Sequence, residues 1–271
     1  MSAEIVTITR GSSPLILSMP HPGTGVPPEV AAQLNARGKL VEDTDWHMRQ
    51  LYGFAAPFAP TIVEAQLSRF VIDLNRDPSG VSLYPGQATT ELCPTTTFDG
   101  EPLYKEGRGP DVAARRAAYF DPYHAALTAE IEHARAAHGA VVLYDCHSIR
   151  SIIPRLFEGT LPDFNIGTNS GAACAPELQA QIEAICDATP FQRVSNGRFK
   201  GGYITRHYGQ PEAGIHAVQM ELACRAYLRE PLGPVDESNW PTPYDPAYAA
   251  PVRAALIAIF EACLAFARSR A

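Results

Sequence analysis

The stretch "AVVLYDCHSIRS", residues 140–151, joins an apolar run to a cluster of polar and reactive side chains. The cluster consists of Asp145, Cys146, His147, Ser148 and Arg150. A short apolar run rich in β-branched residues favours a strand that is buried on both faces. Ligands of open α/β sheets bind beyond the carboxyl ends of the strands. The stretch therefore predicts an α/β fold with a functional site where this strand ends.

The rest of the chain repeats this design. "SPLILSMPH" (13–21) and "IHAVQMEL" (215–222) are apolar runs that deliver His21 and Glu221, and "PTIVEAQLSRFVIDLNRD" (60–77) reads as two strands. Helical spacing of apolar residues predicts helices at 28–37, about 44–57, 110–138, 176–189 and 246–268. The alternation predicts one α/β domain over residues 1–271, with a mixed, mostly parallel sheet covered by helices on both faces.

The bulk composition limits the class of protein. The chain has 271 residues, 46% of them hydrophobic, and a net charge of −7, with 22 scattered Lys and Arg residues. This balance lacks the basic surface that neutralises phosphates, so we expect no nucleic-acid partner. We see no secretory signal and no apolar stretch of about 20 residues, and we expect a cytoplasmic protein without a membrane span. The six cysteines show no CxxC pair and are expected to be reduced thiols.

Two histidines and one carboxylate form the ligand set of a catalytic zinc, because they leave a fourth position open. His21, Asp45 and His147 could supply that set. Each also has a structural interpretation: a histidine in a turn, a helix cap for Asp43 or Asp45, a hydrogen-bonded core histidine. Glu221 in an apolar strand is costly to bury without a partner, which favours a functional role.

Other candidates are weaker or rest on arginines. Cys146 and His147 are strand neighbours that point to opposite faces, so a thiol nucleophile is geometrically poor. The histidines in helical stretches (47, 124, 133 and 138) are expected at the surface. Arg69, Arg76 and Arg206 follow strands or lie near strand ends, and a guanidinium suits a carboxylate, so a small anionic substrate is expected.

Five segments in fixed order carry a family resemblance. "SMPHPGTGVP", "DTDWHMRQLY", "SRFVIDLNRDPSG", "DCHSI" and "GGYITRHYG" resemble motifs of the N-formylglutamate amidohydrolase (N-formylglutamate deformylase) family, over about residues 15–228. The resemblance implies a zinc-carboxypeptidase-like fold and metal-dependent hydrolysis of N-formyl-L-glutamate to formate and L-glutamate. It also implies the last step of a histidine degradation route.

The resemblance assigns roles by position in this chain. His21 and His147 resemble the zinc histidines, Glu221 the general base, and Asn75 with Arg76 the pair that binds a substrate carboxylate. Thr24 stands where carboxypeptidases have a zinc glutamate, so the third ligand (Zn²⁺ or another divalent metal) is expected from Asp45, with Asp43 as the alternative. Arg69 or Arg206 would stabilise the oxyanion or hold the second carboxylate, and Ser148 would face the substrate.

Two alternatives stay open at this point. The substrate could be another N-acyl amino acid or a short peptide, because the sequence does not show the depth of the side-chain pocket. A protein of another class, a non-catalytic module that binds small anions, would keep the arginines without a working metal centre. The Pro- and Thr-rich segment 84–110 is expected to border the site as a lid or wall, and the oligomeric state is open.

Overall fold

A computed structural model describes residues 5–231 and 233–270 of the chain. Its described part contains a seven-stranded sheet in the order β1-β3-β2-β4-β7-β5-β6. The strands are β1 (Val6–Thr9), β2 (Leu15–Met19), β3 (Thr61–Ala65), β4 (Val141–Ile149), β5 (Phe164–Gly167), β6 (Arg193–Ser195) and β7 (Ile215–Ala223). The central strands β3, β2, β4 and β7 are parallel, whereas β1 and β5 pair antiparallel to their neighbours β3 and β7. The predicted mixed, mostly parallel α/β sheet is confirmed.

Helices cover both faces of this sheet. They are α1 (Pro28–Ala31), α2 (Met48–Leu51), α3 (Val112–Arg115), α4 (Asp121–His138), α5 (Pro176–Asp187), α6 (Tyr203–Tyr208) and α7 (Pro246–Arg268). Alternate residues of β4 divide the core, because successive side chains of a strand point to opposite faces. Val142 and Tyr144 belong to the cluster that includes α5 and α7, whereas Val141 and Leu143 pack with residues of α4. Every residue of β4 is buried, including the polar Asp145, His147 and Ser148.

Helix α7 differs from the expectation that no segment could span a membrane. By length and composition this 23-residue helix, which contains an 18-residue window with a mean hydropathy of 1.8, would suffice to cross one. Val252, Leu256 and Ile259 are buried in the main core cluster, together with Phe260 and Cys263. The apolar character of α7 is accounted for by its packing against the sheet.

Three local predictions of secondary structure or exposure were wrong. The run "FVIDL" (70–74) forms no strand, although Phe70 and Val71 are buried in an irregular segment that turns beneath the site. The predicted helix 44–57 reduces to α2 and a 3-10 segment at 53–58. His124 is buried rather than exposed, and its ring nitrogens contact Leu74 O at 2.9 Å and the Tyr208 hydroxyl at 3.0 Å. This histidine therefore supports the irregular segment 70–76.

Candidate active site

The carboxyl-terminal halves of β4 and β7 form the floor of the site. Their parallel register places Asp145 beside Gln219 and His147 beside Glu221. These four polar residues project from one face of the sheet because they alternate with apolar neighbours along both strands. Ser148 projects from the other face. The register therefore explains why polar residues alternate at the end of the predicted strand: Asp145 and His147 share a face with Gln219 and Glu221.

His21, Asp45 and His147 converge although they are far apart along the chain. The two Nδ1 atoms lie 3.2 Å apart, and Asp45 Oδ2 lies 3.4 Å from His147 Nδ1 and 3.8 Å from His21 Nδ1. Ligands about 2.0–2.1 Å from a tetrahedral ion are separated by roughly 3.4 Å. The spacing and the donor types of this group, which we call the His-Asp-His cluster, fit a divalent metal ion.

Two further carboxylates orient the histidines of the cluster. His21 Nε2 lies 2.8 Å from Asp73 Oδ1, and His147 Nε2 lies 3.0 Å from Asp145 Oδ2. A ring whose Nε2–H donates to a carboxylate leaves Nδ1 unprotonated and free to bind a metal. Sequence reasoning missed Asp73, although it belongs to the quoted segment "FVIDLNRD". The carboxylate–histidine pairs support the fit of the cluster to a metal.

The loop before α2 distinguishes the two candidate aspartates. The backbone N–H of Asp45 donates to His21 O at 3.0 Å, and Asp45 Oδ2 accepts the Ser148 N–H at 3.1 Å. Asp45 Oδ1 is buried without a hydrogen bond from the described residues. Asp43 instead accepts the Phe98 N–H at 2.7 Å, and it is not a member of the cluster. Of the two candidate aspartates, Asp45 and not Asp43 therefore places its carboxylate beside the Nδ1 atoms of both histidines.

Burial and neighbouring charges set the protonation of the cluster. Burial, with help from the Arg69 guanidinium, lowers the pKa of His21 to about 4, so this ring is neutral at pH 7. Burial would also lower the pKa of His147, but the Asp145 and Asp45 carboxylates outweigh it and raise the pKa well above its ordinary value. A metal that binds His147 must then displace a proton, as is general for histidine ligands.

A cavity opens above the cluster. It contains about 530 Å³ of empty space, a volume that includes the open solvent at its mouth. His21, His147 and Glu221 line it together with Tyr84, Thr89, Thr90 and Phe98 of segment 84–110. That segment therefore forms a wall of the cavity. We call this space the site cavity.

Glu221 is a buried carboxylate in the site cavity. Gln219 Nε2 donates to its Oε2 at 3.2 Å. Burial raises the pKa of Glu221 to about 7, although the nearby His147 opposes this effect. A carboxylate with a pKa near the working pH can both accept and return a proton. Its position and pKa suit a general base.

Three arginines line the site cavity, and two of them, Arg69 and Arg76, are among the three that the sequence suggested. Arg69 Nη2 lies 2.9 Å from His21 Nδ1 and 3.1 Å from Asp73 Oδ2. Arg76 donates through Nε to Thr90 O at 3.0 Å, and its Nη2 lies 3.7 Å from Asp73. Arg198 is the third, and sequence reasoning missed it. Arg206 does not line the cavity, and its Nε donates to Gly201 O at 2.8 Å.

Asn75 and Ser148 were also expected to contact substrate. Asn75 lines the site cavity, but its Oδ1 accepts the Ile204 N–H at 2.7 Å and its Nδ2 donates to Asp145 Oδ2 at 3.3 Å. Its amide is thus tied to the carboxylate that orients His147. Ser148 is outside the cavity, where its hydroxyl accepts a 2.7 Å hydrogen bond from Tyr227.

Cys146 is excluded as a nucleophile by its surroundings. Its side chain is buried in the main core cluster on the opposite face from His147. Burial, with the nearby Asp145 carboxylate, raises the pKa of the thiol well above its ordinary value. A thiol held protonated away from the cavity cannot act as a nucleophile there.

Comparison with known proteins identifies the family. A family profile described as N-formylglutamate amidohydrolase matches residues 13–228. The chain belongs to this family. N-formylglutamate deformylase of Pseudomonas aeruginosa PAO1 is 45% identical over 271 residues, and that of Pseudomonas putida is 44% identical over 272 residues. Each comparison covers 98% of both chains. The resemblance seen in the sequence motifs is confirmed.

Solved structures share the architecture of this chain. A crystal structure of N-formylglutamate amidohydrolase from Ralstonia eutropha JMP134 has a TM-score of 0.75 at 24% identity, covering 98% of this chain and 97% of that one. A gene product of Agrobacterium tumefaciens has a TM-score of 0.68 at 18% identity, covering 98% and 96%. At these identities the similarity establishes the fold.

Proposed function

We propose that this chain hydrolyses N-formyl-L-glutamate to formate and L-glutamate, with a divalent metal ion held by His21, Asp45 and His147. One observation carries the proposal: the two histidines of the buried His-Asp-His cluster line one cavity together with Glu221 and three arginines. The printed name of the two Pseudomonas relatives, N-formylglutamate deformylase, supports this choice of substrate. The arginines suit a substrate that carries two carboxylates.

The metal ion would supply positive charge that polarises the formyl carbonyl and acidifies water in the cavity. Glu221 accepts the proton of the attacking water, whose oxygen forms the new bond to the formyl carbon. The carbon–nitrogen bond then breaks, and Glu221 returns the proton to the departing amino nitrogen. The atoms balance, because one water and one amide give formate and an amine.

Arg69 is the candidate to stabilise the negative charge on the formyl oxygen. Burial would lower the pKa of Arg69, but the carboxylates of Asp73, Asp45 and Asp43 outweigh burial and raise it, which keeps the guanidinium charged. A fixed cation beside a developing oxyanion stabilises the transition state more than the ground state. Its contact with His21 supports a position next to the reacting carbonyl.

Arg76 and Asn75 divide the role that the family resemblance gives to them jointly. Arg76 would bind the α-carboxylate, because its guanidinium lines the cavity next to Asp73, which also contacts His21. Asn75 would position Asp145 and His147, because its Nδ2 lies 3.3 Å from Asp145 Oδ2 and 2.9 Å from His147 Nε2, and its Oδ1 already accepts the Ile204 N–H.

We further propose zinc as the metal, the cytoplasm as the location and histidine degradation as the pathway, on the family resemblance.

Formate release is the experiment that tests the proposed function. The purified protein is incubated with N-formyl-L-glutamate before and after chelation, and again after Zn²⁺, Co²⁺ or Mn²⁺ is restored. We expect activity that chelation abolishes and a divalent ion restores. N-formyl-L-aspartate and N-acetyl-L-glutamate, tested in parallel, detect a different acyl amino acid. Tight binding of glutamate without any turnover would instead favour an anion-binding module.

A further inference from the structure

Arg198 occupies a distinct place in the wall of the site cavity. It lies in the loop between β6 and α6, in the sequence "SNGRFKGG" (195–202), and it is partly buried. Its Nε donates to Leu156 O at 2.8 Å and its Nη2 donates to Ala88 O at 2.7 Å. Two segments that line the cavity thus fix the guanidinium through its Nε and Nη2 atoms.

Two aromatic rings lie within cation–π distance of the same guanidinium. Its Cζ lies 5.3 Å from the ring centroid of Tyr84 and 5.2 Å from that of Phe199, and both rings line the cavity. Within residues 5–231 and 233–270, no hydrogen bond engages Nη1. The side chain is therefore preorganised, and part of its donor capacity remains for a ligand.

Arg198 also differs from the other cavity arginines in charge balance. Arg69 and Arg76 have Asp73 at 3.1 and 3.7 Å, whereas no carboxylate of the described chain lies within 4.0 Å of the Arg198 nitrogens. Burial lowers the pKa of Arg198, the Arg76 cation lowers it further, and Glu221 raises it. A partly desolvated cation without a counter-ion is costly, and an anionic ligand would offset that cost.

The positions of Arg76 and Arg198 assign the two carboxylates of the substrate. Arg76 is linked through Asp73 to His21 of the cluster, whereas the described hydrogen bonds of Arg198 run to the backbone of Ala88 and Leu156 and to no residue that contacts the cluster. In formylglutamate the α-carboxylate is closer to the formyl amide along the covalent skeleton than the side-chain carboxylate is. Arg76 thus suits the α-carboxylate, and Arg198 suits the more distant one.

We propose that Arg198 binds the side-chain carboxylate of the substrate and thereby selects glutamate over uncharged analogues. The inference rests on the proposed function and adds its specificity determinant. Sequence reasoning gave this role to Arg206 or Arg69. Arg69 is already engaged by His21 and Asp73, and Arg206 does not line the cavity.

The test compares N-formyl-L-glutamate with N-formyl-L-glutamine, which has the same shape without the negative charge. For the wild type we expect kcat/KM to favour the glutamate compound by about 100-fold, as for one buried charge pair. Arg198→Met should reduce that preference to nearly one, mainly by raising KM for N-formyl-L-glutamate. Arg198→Lys should recover part of the preference, because it restores the charge without the planar fork.

Arg206→Met is the matched control. Arg206 stacks on the same Tyr84 ring, with Cζ 5.2 Å from the centroid, yet it does not line the cavity. This variant should keep the wild-type preference. Inhibition by L-glutamate and L-glutamine provides a second readout, since Arg198→Met should weaken inhibition by glutamate alone.

The outcomes separate the inference from the proposed function. A folded Arg198→Met variant with unchanged preference would overturn the inference, and so would an equal loss on both substrates, which indicates a purely structural role. Loss of the preference in Arg206→Met with retention in Arg198→Met would give the role to Arg206. A metal-loaded wild type that releases no formate from N-formyl-L-glutamate would instead overturn the proposed function.

Discussion

Replacing Glu221 by Gln should strongly reduce turnover and stabilise the metal-free protein. Gln keeps the shape of the side chain and an oxygen that can accept the Gln219 amide bond, but it cannot accept a proton. A missing general base costs about 10²- to 10⁴-fold in rate, which we expect in kcat for formate release at saturating N-formyl-L-glutamate. The metal content should be unchanged because Glu221 is outside the His-Asp-His cluster.

The gain in stability follows from the cost of burying the Glu221 carboxylate. Its pKa of about 7, against an ordinary 4.5, corresponds to about 3 kcal/mol. Because the folded state prefers the protonated form, this penalty is absent below pH 4.5, grows as the pH rises and is complete above about 7. Thermal unfolding in chelator should show a Tm roughly 5–10 °C higher for Glu221→Gln at pH 8, and no difference at pH 4.

The control for Glu221 is Glu230→Gln. Burial also raises the pKa of Glu230, but this residue does not line the site cavity, so its replacement should leave kcat near the wild-type value. Near-normal turnover of Glu221→Gln would refute the general-base role. Loss of both turnover and bound metal in Glu221→Gln would refute the view that Glu221 acts as the base without being a metal ligand.

Three further predictions concern the same cavity. Arg76→Ala should raise KM for N-formyl-L-glutamate by a factor equivalent to about 2–4 kcal/mol with a smaller effect on kcat, and an unchanged KM would exclude its contact with a carboxylate. Asp73→Ala should weaken metal affinity about 10- to 100-fold, because His21 loses its orienting carboxylate. Competition with a chelating dye measures this affinity, and an unchanged value would contradict that role. In the metal-loaded enzyme, log kcat/KM should rise with pH and level off at or below about pH 7, because Glu221 must be ionised and a bound cation lowers its pKa further. The same rise with pH in the residual activity of Glu221→Gln would assign this ionisation to another group.

The convergence of His21, His147 and Glu221 could be anticipated because each follows or ends an apolar run. His21 follows β2, and His147 and Glu221 lie on adjacent parallel strands, whose carboxyl ends must share one edge of the sheet. Asp45 could not be placed by this rule, since it reaches the cluster through a loop. The backbone hydrogen bond from the Asp45 N–H to His21 O fixes that loop, and no periodicity in the sequence predicts this contact.

Other site residues were misplaced or missed for physical reasons. The alternation that separates Cys146 from His147 also separates Ser148 from His147, so the same rule would have placed Ser148 outside the cavity. Asp73 is hidden in an apolar run that reads as a strand. Arg198 follows β6, which has only three residues and no apolar run before it, so its place depends on long-range contacts with Ala88 and Leu156.

Titration of the metal-stripped protein with Zn²⁺ tests the central claim most directly, with the initial rate of formate release from N-formyl-L-glutamate as the readout. We predict a rate near zero without metal that rises linearly and levels off at one equivalent of metal per chain, together with no recovery at any ratio in His147→Ala. Full activity of the stripped protein, or full recovery of His147→Ala at one equivalent, would show that the His-Asp-His cluster is not the catalytic centre.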